Sequence, residues 1–197
     1  MFTKNLLLGA HVHVCREHLK RSGGLVRGIL VNAKNANSVT GQQGIEDAKY
    51  LCGLLAERLD CPPEQVLPIS TGVIGAALPV DKIAAALDPL VADCDAGGLP
   101  RFADAIRTTD TFPKWCTRAG VAGVAKGSGM VHPDLATMLG FLLADRCPMD
   151  LQGALTQACD RSFHRVSVDG DTSPNDTVVL WCSSTPAQGN LDQSLVT

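Results

Sequence analysis

Residues Lys126–Asp145 read KGSGMVHPDLATMLGFLLAD. Small residues make two turns, at Gly127–Gly129 and around Pro133–Asp134, and these lead into Ala136–Thr137. An apolar run of Met138, Leu139, Phe141, Leu142 and Leu143 follows at once and stops at Arg146-Cys147-Pro148. A run this short, bounded by Gly and Pro before it and Pro after it, fits a buried strand better than a helix. Thr137 then stands at the mouth of a buried element and has two readings. It is a β-former that opens a strand, or it is a nucleophile that becomes the first residue of a new chain and uses its own α-amine as base.

Outward from this stretch, Gly120–Ala125 alternates small and apolar residues as a strand does, and Met149–Phe163 repeats Leu151, Ala154, Leu155, Ala158 and Cys159 at helical spacing. Val166-Ser167-Val168 and Thr177–Trp181 read as two further strands joined by the acidic loop 169–176. As a calcium loop it fails, because Pro174 takes the place of the EF-hand glycine and Leu180 that of the bidentate glutamate. A solvated hairpin loop is the better reading.

In the first half, His11-Val12-His13-Val14-Cys15 alternates, so a strand would put both histidines and the cysteine on one face. Three such groups are legitimate zinc ligands, but no fourth follows, and a half-exposed strand is preferred. Leu25–Val31 reads as a strand ending in the asparagine-rich loop 32–37, and Gly44–Leu59 is the clearest helix, with Ile45, Ala48, Leu51, Cys52, Leu55 and Leu59 on one side. Val66–Gly75 is a short apolar strand running into Ser70-Thr71-Gly72. Such a turn aims backbone N–H groups and a hydroxyl at one point, as a tetrahedral oxyanion requires, although most Ser-Thr-Gly turns are structural. Pro79 opens a helix anchored by Ile83, Leu87, Leu90 and Val91, and Leu99–Ile106 is a shorter one. It delivers Thr108-Thr109-Asp110-Thr111, residues that either line a site or cap and turn the chain.

Composition narrows the class. A chain of 197 residues, 45% of them hydrophobic, buries roughly 70% of its extended surface as one domain without staples. Seventeen basic residues against twenty acidic ones, with no block of like charge, give no footing to a nucleic acid or an anionic membrane, so small neutral partners fit better. No run reaches transmembrane length, and the first fifteen residues, interrupted by His11 and His13, are too polar for a secretory segment. The chain reads as cytoplasmic. Its eight cysteines are scattered singly, which favours reduced, mostly buried thiols.

Seven motif groups stand in one order: MFTKN with CREHL (Cys15–Leu19), NAKNAN with TGQQG (Thr40–Gly44), LPISTGVIG (Leu67–Gly75), TTDTFPK (Thr108–Lys114), KGSGM (Lys126–Met130), LATML (Leu135–Leu139) and SFHRVSVDGDTSPNDTV (Ser162–Val178). With these, from about Phe2 to about Trp181, the chain resembles the ornithine acetyltransferase family, also called the bifunctional glutamate N-acetyltransferase family. The resemblance implies an α/β fold, an Ntn-hydrolase-like layered αββα sandwich of the DmpA/ornithine-acetyltransferase type. It implies a precursor that cuts itself at Ala136–Thr137, and acetyl transfer from N-acetylornithine to glutamate in arginine biosynthesis, with acetyl-CoA as a further donor in bifunctional members. No cofactor or metal is implied. Carried over, the nucleophile falls on Thr137, the oxyanion hole on Thr71 and Gly72, and substrate binding on Thr108, Lys126 and Thr137. Each makes physical sense. A free α-amine has a reference pKa of about 8, low enough to take the hydroxyl proton near neutrality, and Lys126 offers a cation to an amino-acid carboxylate.

Residues 1–182 would then be a partial domain, with 1–136 in an alpha chain, 137–182 opening a beta chain, and 183–197 a polar, flexible tail. The complete protein would be a heterotetramer of these self-derived chains. Family members extend beyond both ends, so the chain reads as truncated, and Lys34 stands where the family pattern has glycine. Two other functions stay open: a related Ntn-type amidase or aminopeptidase with water as acceptor, and a catalytically silent fragment.

Overall fold

A computed structural model of the chain describes residues 1–132 and 138–183. These fall into two compact units, one of Leu6–Gly98 and one of Met1–Asn5 with the chain from Leu99 onward.

The unit of Leu6–Gly98 is built around a parallel pair. Helix α1 (Ala10–Arg21) is followed by strand β1 (Gly28–Asn32), helix α2 (Gly41–Arg58), strand β2 (Val66–Ser70) and helix α3 (Val80–Ala92). β1 and β2 pair in parallel from Gly28↔Val66 to Asn32↔Ser70, with α2 as the crossover that a parallel pair requires. The apolar face of α2 packs Leu51, Cys52 and Leu55 on Leu30 and Val66, and Leu87 of α3 closes this core. β2 is buried along its whole length, yet Pro68 lacks a ladder N–H. The carbonyls of Val66 and Pro68 are taken up by α1 instead, accepting from His18 Nδ1 at 2.8 Å and from Cys15 Sγ at 3.1 Å.

Those bonds overturn the strand assigned to His11–Cys15. The segment lies in α1, whose buried side carries His11, Val14, Cys15 and His18 while His13 is exposed. Positions i, i+4 and i+7 share a helix face as surely as i and i+2 share a strand face, and five residues of alternation do not separate the two. No group of three metal-binding side chains occurs among the described residues. Leu90, expected in the core, is 51% exposed, whereas Leu87 is fully buried.

The second unit is a four-stranded sheet in the order β3-β4-β5-β6. After helix α4 (Leu99–Ala105), β3 (Lys114–Arg118), β4 (Val121–Lys126) and β5 (Leu139–Ala144) are antiparallel neighbours. Helix α5 (Leu151–Arg161) then carries the chain over to β6 (Thr177–Cys182), which lies parallel to β5. Alternation along the strands puts Lys126, Val124, Phe141 and Leu139 on one face, where Phe102 of α4 meets the Phe141 ring edge-on with centroids 5.0 Å apart. Val178 and Leu142 lie on the other face with Leu155 and Cys159 of α5. Asp150 caps α5, accepting the Gly153 N–H at 2.8 Å, a bond of about 1 kcal/mol.

The apolar run after residue 137 is therefore the buried strand its composition suggests. β3 is a strand that the sequence reading does not include; it carries almost no apolar signal because it is largely exposed at the sheet edge. Two expectations change. Val166–Val168 forms no strand, and the acidic loop is neither a hairpin nor solvated throughout. Ser173, Asn175 and Asp176 are buried, and the first residues of the chain lie along the loop: Thr3 N–H donates to the Asp176 carbonyl at 2.8 Å and Thr3 Oγ1 to the Ser173 carbonyl at 2.7 Å. Cys15, Cys52 and Cys159 are buried, Cys94 and Cys116 exposed, and all eight thiols free. No described helix is long and apolar enough to cross a membrane.

Candidate functional site

Thr71 and Gly72 follow β2 directly, in a turn stitched to the asparagine loop that follows β1. Thr71 N–H donates to the Asn32 carbonyl at 3.0 Å, Val73 N–H to that of Lys34 at 3.2 Å, and Ala36 N–H to that of Val73 at 2.9 Å. The asparagines lock this arrangement from the side. Asn32 Oδ1 accepts from Ser70 Oγ at 2.7 Å while its amide donates to the Asn35 carbonyl, and Asn35 spans to the carbonyls of Ala76 and Ala77. Gly72 has φ +137, and a Cβ there would fall on the backbone of Lys34 and Asn35. Only glycine fits. Neither Thr71 Oγ1 nor the Gly72 N–H has a hydrogen-bond partner among the described residues, so an adjacent hydroxyl and amide donor are left for a ligand oxygen. Lys34 adopts φ +75, a left-handed conformation that favours glycine.

In the other unit, Lys126 ends β4 and is 5% exposed. Burial pushes its ammonium below the usual lysine range, Lys114 adds to this, and Asp110 and Asp176 pull the other way. The ammonium has no hydrogen bond or ion pair among the described residues, which leaves a buried cation for an anionic ligand. Thr108 is half-buried at the head of the threonine loop, its N–H 3.5 Å from Asp110 Oδ2.

Asp110 organises this corner. Its Oδ1 accepts from Lys114 Nζ at 2.5 Å and from the Gly127 N–H at 2.8 Å, and Lys114 also donates to the Gly127 carbonyl at 3.2 Å. Thr109 and Ser128 hydroxyls meet at 2.8 Å. The threonine loop and the glycine turn after Lys126 are thus one structure. Burial raises the Asp110 carboxyl, but the Lys114 ammonium and the Gly127 N–H outweigh it and hold the group below the usual carboxylate range.

Asp169 and Asp176 also reach this region, and nothing local in the sequence signals it. Asp169 accepts the N–H groups of Met130 and Val131 at 2.6 and 2.8 Å, and Asp176 that of Met138 at 3.0 Å, across 38 or 39 residues of chain in each case. Ala136 and Thr137 lie outside the described residues. Of the sequence-derived candidates, Thr71 and Gly72 are neighbours in one unit, and Thr108 and Lys126 belong to the other.

A parallel pair with a glycine-dependent donor turn and, in the other unit, a mixed sheet with helices on both faces make a mixed α/β fold, of the Ntn-hydrolase-like class by its likeness to solved structures. The arginine biosynthesis bifunctional protein ArgJ from Bacillus halodurans superposes with a TM-score of 0.57 at 31% identity, over 68% of this chain and 73% of that one. Ornithine acetyltransferase from Mycobacterium tuberculosis, solved with ornithine, gives 0.59 at 30% identity, over 68% and 75%. The ArgJ family model matches residues 1–196, and the chain belongs to that family. The arginine biosynthesis bifunctional proteins ArgJ of Parasynechococcus marenigrum and Neisseria meningitidis serogroup A are each 42% identical, over 94% and 98% of this chain. The chain spans 48% and 49% of their lengths, about half of each relative.

Proposed function

We propose that the full-length protein is an N-acyltransferase of arginine biosynthesis that moves an acetyl group from N-acetylornithine to glutamate through an ester on Thr137. The observation that carries this reading is the Thr71–Gly72 turn, where a hydroxyl and an amide N–H stand side by side without an acceptor among the described residues, in a chain of the ArgJ family. Thr137 Oγ attacks the acetyl carbonyl while the Thr137 α-amine takes its proton. The negative charge that develops on the acetyl oxygen is met by Thr71 Oγ1 and the Gly72 N–H, donors worth about 3 kcal/mol each in such sites. Ornithine leaves as the amine, carrying that proton. The glutamate amine then attacks the ester and returns the proton to Thr137. Lys126 holds the amino-acid carboxylate and Thr108 lies beside it, a reading supported by a buried ammonium without a partner among the described residues and by the ornithine found with the mycobacterial relative.

The α-amine is released when the precursor cuts itself between Ala136 and Thr137, which assigns residues 1–136 to one chain and Thr137 onward to the other. The two assemble as a heterotetramer in the cytoplasm and take only small molecules as partners. Because the acetyl group rests on the enzyme between donor and acceptor, the full-length protein follows ping-pong kinetics with N-acetylornithine and glutamate. Parallel double-reciprocal lines are expected; intersecting lines would replace the ester with direct transfer.

A further inference from the structure

One loop holds the backbone on both sides of residues 133–137. On the upstream side Asp169 accepts Met130 N–H through Oδ2 at 2.6 Å and Val131 N–H through Oδ1 at 2.8 Å. The Val131 carbonyl in turn accepts from the N–H groups of Val168 and Gly170 at 3.0 and 3.2 Å. Met130 is bent to φ +58, a left-handed conformation that a side-chain-bearing residue keeps only where its surroundings impose it. On the downstream side Asp176 Oδ1 accepts Met138 N–H at 3.0 Å, and Thr177 N–H donates to the Met138 carbonyl at 3.1 Å. The Met138 amide is the covalent link between Thr137 and β5.

Asp176 is 1% exposed, and its second oxygen, Oδ2, has no hydrogen-bond partner among the described residues. Burial pushes the carboxyl up to about 7, with the Met138 N–H, the hydroxyl and N–H of Ser173 and the charge of Lys126 pulling back. The groups around it are few. Lys126 of β4 is the charged group that acts on it, Ser173 and Met138 supply dipoles, and Thr3 bonds only its backbone carbonyl. Burying a carboxyl with one oxygen unpartnered costs free energy, so stability alone does not account for Asp176. Such groups concentrate where a protein does chemistry.

We propose that Asp169 and Asp176 are positioning residues for the reaction at Thr137, holding the backbone at Met130–Val131 and at Met138, the described residues on either side of the bond that is cut. This rests on the reading of Thr137 as nucleophile. The loop is then part of the cleavage device, and its acceptors act through backbone amides, without touching the reacting atoms.

The test is the rate of self-cleavage of the full-length protein, followed by intact mass from the uncut precursor, in wild type, Asp176→Leu, Asp176→Asn and Asp169→Ala. Leucine removes the acceptor for Met138 N–H with the same number of side-chain heavy atoms, though a bulkier group, whereas asparagine keeps it. Misplacement of a reacting group by about 1 Å costs about 100-fold, so Asp176→Leu is expected to slow cleavage by that order, with Asp176→Asn recovering to within about fivefold of wild type. Asp169 is exposed, so Asp169→Ala leaves the core intact and is expected to slow cleavage about tenfold, for the hydrogen bonds to the Met130 and Val131 N–H groups that it loses along with that to Asp171. Thermal unfolding in parallel separates misfolding from misplacement. If Asp176→Leu fails to fold, Asp169→Ala decides alone, and cleavage at the wild-type rate in that variant overturns the proposal. A folded Asp176→Asn as slow as the leucine variant also overturns it, since the carboxyl proton rather than the acceptor would then matter. If wild type does not cleave before Thr137 at all, the reading of Thr137 fails first and the clamp falls with it.

Discussion

Replacing Asp176 by asparagine removes the most displaced carboxyl of the second unit, and the consequence for stability has a definite sign. In the folded chain burial raises this group from the ordinary 3.8 to about 7. Between those values the folded state holds a proton that the unfolded state has released, so stability is greatest at low pH, falls as pH rises through the window, and levels off above about 7. A shift of this size corresponds to roughly 4 kcal/mol in total, of which between 2 and 3 falls between pH 5 and pH 8. Asp110 titrates in the opposite sense, below the usual carboxylate range, and so contributes no slope in that interval. The two tryptophans, Trp115 in β3 and Trp181 in β6, both belong to this unit, so their fluorescence during urea unfolding reports on it. Wild type is expected to lose stability relative to Asp176→Asn by roughly 2–3 kcal/mol from pH 5 to pH 8. Parallel pH dependences for the two proteins would show that Asp176 is not held protonated by burial, and would refute the reasoning.

Three further outcomes follow from the donor turn and its support. Thr71→Ala is expected to lower kcat of the full-length protein by about 100-fold with little change in donor affinity, because the hydroxyl acts on charge that appears only in the transition state; steady-state kinetics would reassign Thr71 to binding if KM moved and kcat did not. Gly72→Ala places a methyl on the backbone of Lys34 and Asn35, so transfer should fall at least as far and unfolding should come at lower urea, and a stable, active variant would contradict the close approach. Lys34→Gly relieves a left-handed residue at φ +75 and should stabilise its unit by about 0.5–1 kcal/mol, read as a higher urea midpoint.

What the sequence revealed depended on whether the deciding contact was local. The α2 stripe, the apolar run of β5 and the hydroxyl turn after β2 each carry their signal in a few adjacent residues, and each folds as that signal suggests. The segment His11–Cys15 misled because helix and strand faces coincide over so short an alternation, and only the carbonyls of Val66 and Pro68, some fifty residues away, choose between them. β3 was invisible because an exposed edge strand needs no apolar alternation. The acidic loop was misread for the opposite reason. Charge suggested solvent, whereas Asp169 and Asp176 spend their oxygens on the amides of Met130, Val131 and Met138. Asp110 shows the same logic at shorter range, since a carboxylate that looks like a turn former holds together Lys114 and the Gly127 amide.

If Thr137 is the nucleophile, it becomes a chain N-terminus and carries the acyl group. Intact-mass spectrometry and N-terminal sequencing of the folded full-length protein, before and after incubation with N-acetylornithine alone, test it in one preparation. Two chains are expected, the second beginning with Thr137, with an added acetyl mass on that second chain which glutamate removes. A single uncut chain that nevertheless transfers acetyl groups would contradict that role for Thr137.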